Sequence, residues 1–250
     1  MSWPAAEPAV PHVALWGADH PDLGELAVEV LPPATAVALS AGRLPKPYAH
    51  LDANEDAVLA AEAPAGTLLA VADGHSGFDA ARAAIAAIRD RVDALSQRTA
   101  DPGEVVEALL AAARQGVRER LDTAADERRH SRTALSVALI TGHDLTIGGW
   151  GDTQVLRVRG RRARVLSGDG PFLDGAATLA GATRSKLKEG DFVLVCSDGL
   201  RDYLAGGWPD GVPGVLRMSP DPATAAQGLV EAAWAGGAGD HVSLGLTQAG

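Results

Sequence analysis

Five aspartates, Asp56, Asp73, Asp152, Asp198 and Asp240, each fall at the mouth of an apolar run, and this placement is the main chemical signal in the chain. Two of them can be set against each other by counting. Asp56 to Glu62 and Thr67 to Asp73 are strand-length runs joined by Ala63-Pro64-Ala65-Gly66. If Glu62 pairs with Thr67 across that loop, Asp56 lies directly opposite Asp73. Like charges facing across a strand pair destabilise it, and a divalent cation between them would remove the penalty. A register slipped by one residue, or a carboxylate capping the turn at Asp73-Gly74, would remove it too, and this pair alone does not choose. Asp198-Gly199 follows the run Phe192 to Ser197. Asp240 precedes the alternating Val242, Leu244 and Leu246, and Asp152 sits in the turn Trp150-Gly151-Asp152-Thr153. Any one of these reads as turn chemistry, since Asp-Gly is a preferred turn pair. Five together point to a cation site.

The donors on offer are oxygens. None of the seven histidines stands in an H-x-x-H or H-x-x-x-H pair, and the single cysteine, Cys196, leaves no C-x-x-C. Carboxylates, carbonyls and water suit magnesium or manganese rather than zinc. Two such ions roughly 4 Å apart can activate a bridging water and neutralise phosphoryl oxygens.

The elements that must position these carboxylates follow from hydrophobic periodicity. Residues 1–50 carry short runs at His12 to Trp16, Leu26 to Leu31 and Thr35 to Leu39, broken by prolines, and read as short strands with turns or as a sheet edge. Phe78, Ala81, Ile85, Ile88, Val92 and Leu95 recur at spacings of three and four, which predicts one amphipathic helix. Pro102 opens a second helix with Val106, Leu110, Ala113, Val117 and Leu121 along one face. Strands are predicted at Ala134 to Thr141, Asp144 to Trp150, Thr153 to Arg159, Arg162 to Leu166 and Asp191 to Ser197. A loop is predicted over Gly168 to Lys188, then a helix from Ala223 to Trp234 and a final strand from Val242 to Thr247. Strands come in runs and helices in pairs, so antiparallel sheet with segregated helices, α+β, fits better than strict βαβ alternation.

At these residues the sequence resembles a known family. Asn54-Glu55-Asp56, Ala70 to Gly77 (AVADGHSG), Gly149-Trp150-Gly151-Asp152-Thr153, Cys196 to Asp202 (CSDGLRD) and Gly239-Asp240-His241-Val242 resemble, in order and spacing, the motifs of the metal-dependent type 2C (PPM-type) serine/threonine phosphatases. The match runs from about Asn54 to Thr247. The resemblance implies a two-sheet antiparallel β-sandwich flanked by helix pairs (α-β-β-α) and a binuclear manganese or magnesium centre. In that scheme Asp73 bridges both ions and the Gly74 carbonyl binds one. Asp56 holds a first-metal water or acts as a ligand, and Asp198 and Asp240 complete the second metal's side. Asp152 with Asp198 corresponds to a third, weaker ion, and His75 to the acid that protonates the leaving oxygen. The sequence also departs from the family. The phosphate-binding arginine falls on Leu51, for which Arg43, Lys46 or His50 are candidate substitutes. The usual Asp-Asn pair near the end is Asp240-His241, and residues 168–188 are short for the family's flap segment. Residues 1–50 match no family opening.

Composition bounds the rest. Two hundred and fifty residues with 46% hydrophobic and 22% charged side chains suit a single globular domain over 1–250. A formal net charge of −10 argues against a nucleic-acid binder. No apolar stretch approaches the ~18 residues of a membrane span, and the start at Met1 lacks the features of a signal peptide. One cysteine fits a reducing, cytoplasmic setting, and the bias toward Ala, Gly, Arg and Pro fits a bacterial source. A monomer is expected. Three functional readings compete: a phosphoprotein phosphatase, a phosphatase of small phosphomonoesters, and an inactive metal-binding scaffold. Retention of all five aspartates, which cost stability without metal, weighs against the last.

Overall fold

Strands buried on both faces read as continuous apolar runs, and this chain has several. In the computed structural model, which describes residues 10–96, 100–178 and 181–250, they assemble into two six-stranded antiparallel sheets. The first holds β1 (His12–Trp16), β4 (Ala57–Ala63), β5 (Gly66–His75), β6 (Arg132–Thr141), β7 (Asp144–Trp150) and β10 (Thr183–Lys186), in spatial order β1-β4-β5-β6-β7-β10. The second holds β2 (Ala27–Leu31), β3 (Thr35–Ser40), β8 (Gln154–Arg159), β9 (Arg162–Val165), β11 (Phe192–Cys196) and β12 (Val242–Gln248), in order β2-β3-β12-β11-β8-β9.

Alternation sorts their side chains into three apolar layers. Val58, Ala60, Leu69 and Val71 of the first sheet meet Val37, Leu39, Val193 and Val195 of the second between the sheets. From the opposite face, Leu59, Ala61, Leu68 and Ala70 pack with Ile85, Ile88, Leu110 and Ala113 of α1 (Asp79–Arg89) and α2 (Pro102–Asp122). Behind the second sheet, Ala36, Ala38, Leu244 and Leu246 pack with α3 (Asp198–Tyr203), α4 (Val212–Met218) and α5 (Pro222–Ala235). The alanines facing these helices let backbone layers approach closely, so few aromatics are needed.

The α-β-β-α sandwich agrees with the expected fold, with three local differences. The helix expected from Phe78 through Leu95 ends at Arg89. At Arg91 the backbone bonding tightens from i→i−4 to i→i−3, and a 3₁₀ turn over Val92–Ser96 keeps Val92 and Leu95 buried. The loop expected over Gly168 to Lys188 contains β10, an exposed four-residue edge strand whose polar sequence Thr-Arg-Ser-Lys carries no apolar alternation. The second sheet is flanked by three helices rather than a pair, because α3 and α4 span only six and seven residues, too short to show a period. Residues 10–50 build β1 and β2 at the edges of the two sheets and β3 inside the second. The remainder of the divergent opening, residues 1–9, lies outside the described residues.

Candidate metal centre

The β4–β5 register is the one obtained by counting: Glu62 pairs with Thr67 and Ala57 with Ala72. Asp56, one residue before β4, therefore falls opposite Asp73 near the end of β5. On its other side Asp73 pairs with Ala134, and its carbonyl accepts from the Thr133 hydroxyl at 2.8 Å. Two glycines close the site. A Cβ at Gly74 would stand 2.2 Å from the Glu55 carbonyl oxygen, and one at Gly199 only 1.9 Å from that of His241. With no side chain at either position, the Glu55-Asp56 turn draws up to β5 and the Asp198 turn draws up to Asp240-His241.

The carboxylates brought together are short of donors. Asp56 Oδ1, Asp73 Oδ2 and Asp152 Oδ1 are buried with no hydrogen-bond partner, as is His75 Nε2. A buried polar atom without a partner is costly, so three such oxygens in one cluster fit a cation. Asp73, His75 and Asp152 each offer an atom lying within 4.8 Å of the other two. Asp198 comes within hydrogen-bonding reach of Asp73, and burial together with Asp56 and Asp198 pushes the Asp73 pKa well above the carboxylate range. Burial and Asp152 raise Asp198 as well. Burial would also raise Asp56, but His241, the Ser243 hydroxyl donating at 2.7 Å, and Lys46 outweigh it and hold Asp56 below its ordinary value. Burial, with Lys46 next, lowers His75. The hard oxygen donors and their unpartnered lone pairs fit magnesium or manganese.

Asp240 differs from the others. It meets the Lys46 ammonium at 2.7 Å through Oδ1, which also accepts from the His241 amide at 2.8 Å, while Oδ2 accepts from the Tyr48 hydroxyl. Of the three candidate substitutes for the absent arginine, only Lys46 contacts a carboxylate of the cluster. Arg43 stacks 6.0 Å over Trp234 on α5, and the exposed His50 binds the Tyr48 carbonyl at 2.9 Å. Leu51 itself is exposed. The loop that carries it is tied down by Glu55, whose Oε1 accepts from the amides of Gly77 at 2.6 Å and Leu51 at 3.0 Å, and by Arg128, which bridges Asp52 and Asp79.

Several site residues escaped sequence reasoning. Arg201 lies 3.9 Å from Asp152 and 4.0 Å from Asp198 and is held by Asp202 at 2.7 Å; its place two residues after Asp198-Gly199 was the only signal. Ser243 carries none beyond lying in β12. Phe172, from the segment read as loop, packs edge-on to His75 at 4.6 Å between ring centroids and carries the Arg132 guanidinium 4.7 Å over its ring.

No protein-family profile matches the sequence, and no curated protein sequence matches it. Solved structures do. The catalytic domain of the serine/threonine protein phosphatase PstP, in complex with two manganese ions, is similar with a TM-score of 0.71 and 23% identity over 90% of this chain and 99% of that one. A bacterial serine phosphatase bearing an R161A mutation gives 0.73 and 18% over 86% and 98%. The serine/threonine phosphatase of S. agalactiae gives 0.70 and 17% over 90% and 100%. The two six-stranded sheets and their helical layers thus share the fold of these bacterial serine/threonine phosphatases.

Proposed function

We propose that this protein is a metal-dependent phosphatase of phosphoserine and phosphothreonine in proteins, one catalytic domain acting as a monomer in the bacterial cytoplasm. The observation that carries this reading is the set of three buried, unpartnered carboxylate oxygens on Asp56, Asp73 and Asp152. Asp73 and the Gly74 carbonyl, with Asp56 on one side and Asp198 and Asp240 on the other, would hold two manganese or magnesium ions; Asp152 with Asp198 would hold a third. When bound, such ions supply a water of lowered pKa and neutralise phosphoryl oxygens.

The chain's own residues do the rest. His75 faces the cluster, its Nε2 3.7 Å from Asp73 Oδ1, where it can deliver a proton to the departing seryl or threonyl oxygen. Phe172 shields one edge of that imidazole. Arg132 pairs with His75 across the β5–β6 ladder and is exposed at the rim, so it can take the phosphate contact for which Leu51 has no charge. Beside it opens a cleft of about 570 Å³ lined by Arg129, His130, Arg132 and Asp174, which offers room for the residues flanking a phosphorylated side chain. Among the described residues no helix is long and apolar enough to cross a membrane.

The test is turnover of p-nitrophenyl phosphate with manganese, with and without chelator, followed by a phosphopeptide set against a panel of phosphorylated metabolites. Chelator-sensitive turnover with preference for phosphopeptides is expected. No metal-dependent turnover returns the chain to a scaffold, and preference for metabolites replaces the protein substrate.

A further inference from the structure

The carboxylates of the cluster fall into two sets. Asp56, Asp73 and Asp152 each keep a buried oxygen without a partner, whereas both oxygens of Asp240 are taken by protein donors, one by Lys46 and the His241 amide and the other by Tyr48. Lys46 is an unusual tenant for such a place. Its side chain is only 5% exposed, and a buried ammonium is tolerated only when paired. Burial works against its charge, but Asp240 first, then Asp56 and Asp73, hold its pKa above the ordinary lysine value.

The backbone fixes this position. Lys46 stands between Pro45 and Pro47, which restricts the strap to extended geometry. Just before it, the amides of Arg43 and Leu44 both donate to the Ala238 carbonyl at 3.0 Å. At Gly42, φ is +86° and a Cβ would stand 2.5 Å from the Asp240 carbonyl oxygen, so only glycine lets the strap lie so close. The strap is therefore docked on the same loop that carries Asp240. The four-carbon stem of Lys46 can still swing while the strap stays in place, and the half-exposed Tyr48 ring, 5.0 Å from the ammonium, lies on the way out.

We infer that Lys46 is a tethered counter-ion of Asp240 that competes with a divalent cation for this end of the site. With all five aspartates ionised, the state in which they would ligate cations, Lys46 and Arg201 leave three negative charges. One divalent ion brings the cluster close to neutral, and a second overshoots unless Lys46 withdraws. The two ion positions are then unequal: one is open at Asp73, and the other is reached only by displacing Lys46 from Asp240. The inference rests on the proposed metal reading for the nature of the ion, not for the geometry.

The experiment is calorimetric titration of manganese into the chelator-stripped full chain at neutral pH, comparing the wild type with Lys46→Met and the charge-preserving Lys46→Arg. The wild type should show one tight and one weaker class of site. Lys46→Met should tighten the weaker class by about 10-fold or more, the size of one charge-assisted contact, and tighten the class at Asp73 much less, since Lys46 acts on Asp56 and Asp73 only through space, while Lys46→Arg should stay near the wild type. Tyr48→Phe, at a half-exposed position, removes one donor from Asp240 and should move the weaker class the same way by a few-fold, which covers a Lys46→Met protein that does not fold. Unchanged or weakened manganese binding in folded Lys46→Met, or in Tyr48→Phe when Lys46→Met fails to fold, overturns the inference and leaves the metal reading standing. No manganese binding in any protein overturns both.

Discussion

Asp73→Asn should make the metal-free protein more stable, and more so as the pH rises. In the fold Asp73 is buried against Asp56 and Asp198, and its pKa lies well above the carboxylate range. The unfolded chain loses this proton near pH 4, whereas the folded chain retains it. Over that interval the unfolded state binds one proton fewer, so folding stability falls by about 1.4 kcal/mol per pH unit. Asparagine has no proton to lose, keeps the shape of the side chain and can donate to Asp198. In a chain of this size 1 kcal/mol moves Tm by about 2–4 °C, so the gap between variant and wild type should widen by about 3–6 °C per pH unit from pH 5 until Asp73 ionises in the fold. The assay is thermal unfolding in excess chelator at half-unit steps from pH 5 to 7.5. Using the difference between the two proteins removes the titrations they share. A gap that stays constant or narrows as pH rises would show that Asp73 is not held protonated by its neighbours, and the clustered-charge account of the site would fail.

His75→Gln should lower turnover of a phosphopeptide by ~10²-fold or more, the usual size of general-acid catalysis, with a much smaller loss on p-nitrophenyl phosphate, whose leaving group needs no proton. Equal losses on both substrates would point to damage at the Asp73-Gly74 turn instead. Gly74→Ala forces a Cβ to within 2.2 Å of the Glu55 carbonyl oxygen. It should cost about 1–3 kcal/mol by chemical denaturation and weaken manganese binding by moving Asp56 away, and a wild-type midpoint would contradict the packing described. Asp191 is paired through both oxygens with Arg159 at 2.6 and 2.7 Å, and that guanidinium holds its pKa low. Asp191→Asn should therefore lower Tm at neutral pH, and the deficit should close as the pH falls through the acid range, opposite in sign to Asp73; a deficit independent of pH would refute the charge contribution. Activity should follow manganese or magnesium, and turnover that only zinc restores after chelation would sink the oxygen-ligand reading.

Much of this was legible in the sequence because the signals were short-range. Strand-length apolar runs marked most of the strands, and pairing Glu62 with Thr67 across the four-residue loop gave the register, found in the fold, that sets Asp56 against Asp73. The helical turn carrying Asp198 was missed because six residues show no period. Lys46 was legible as a nearby cation, but its partner was not, since Asp240 lies almost two hundred residues away and the two meet only through the docking of the strap on the Ala238 loop. The same holds for Ser243 on Asp56 and for Phe172 against His75: each contact joins elements whose neighbourhood is decided by sheet order rather than by local pattern. The missing arginine at Leu51 was visible at once, whereas Arg132 at the rim came into view only through the β5–β6 pairing.

The central claim is that the aspartate mouth is a divalent-metal centre for phosphomonoester hydrolysis. Its most direct test is the rate of phosphate release from a phosphothreonine peptide as manganese is added to the chelator-stripped protein. The account predicts no release without metal, a rate that rises and saturates with manganese, and none above background from Asp73→Asn at any concentration. Release unaffected by chelation, or equal in the wild type and Asp73→Asn, would contradict it.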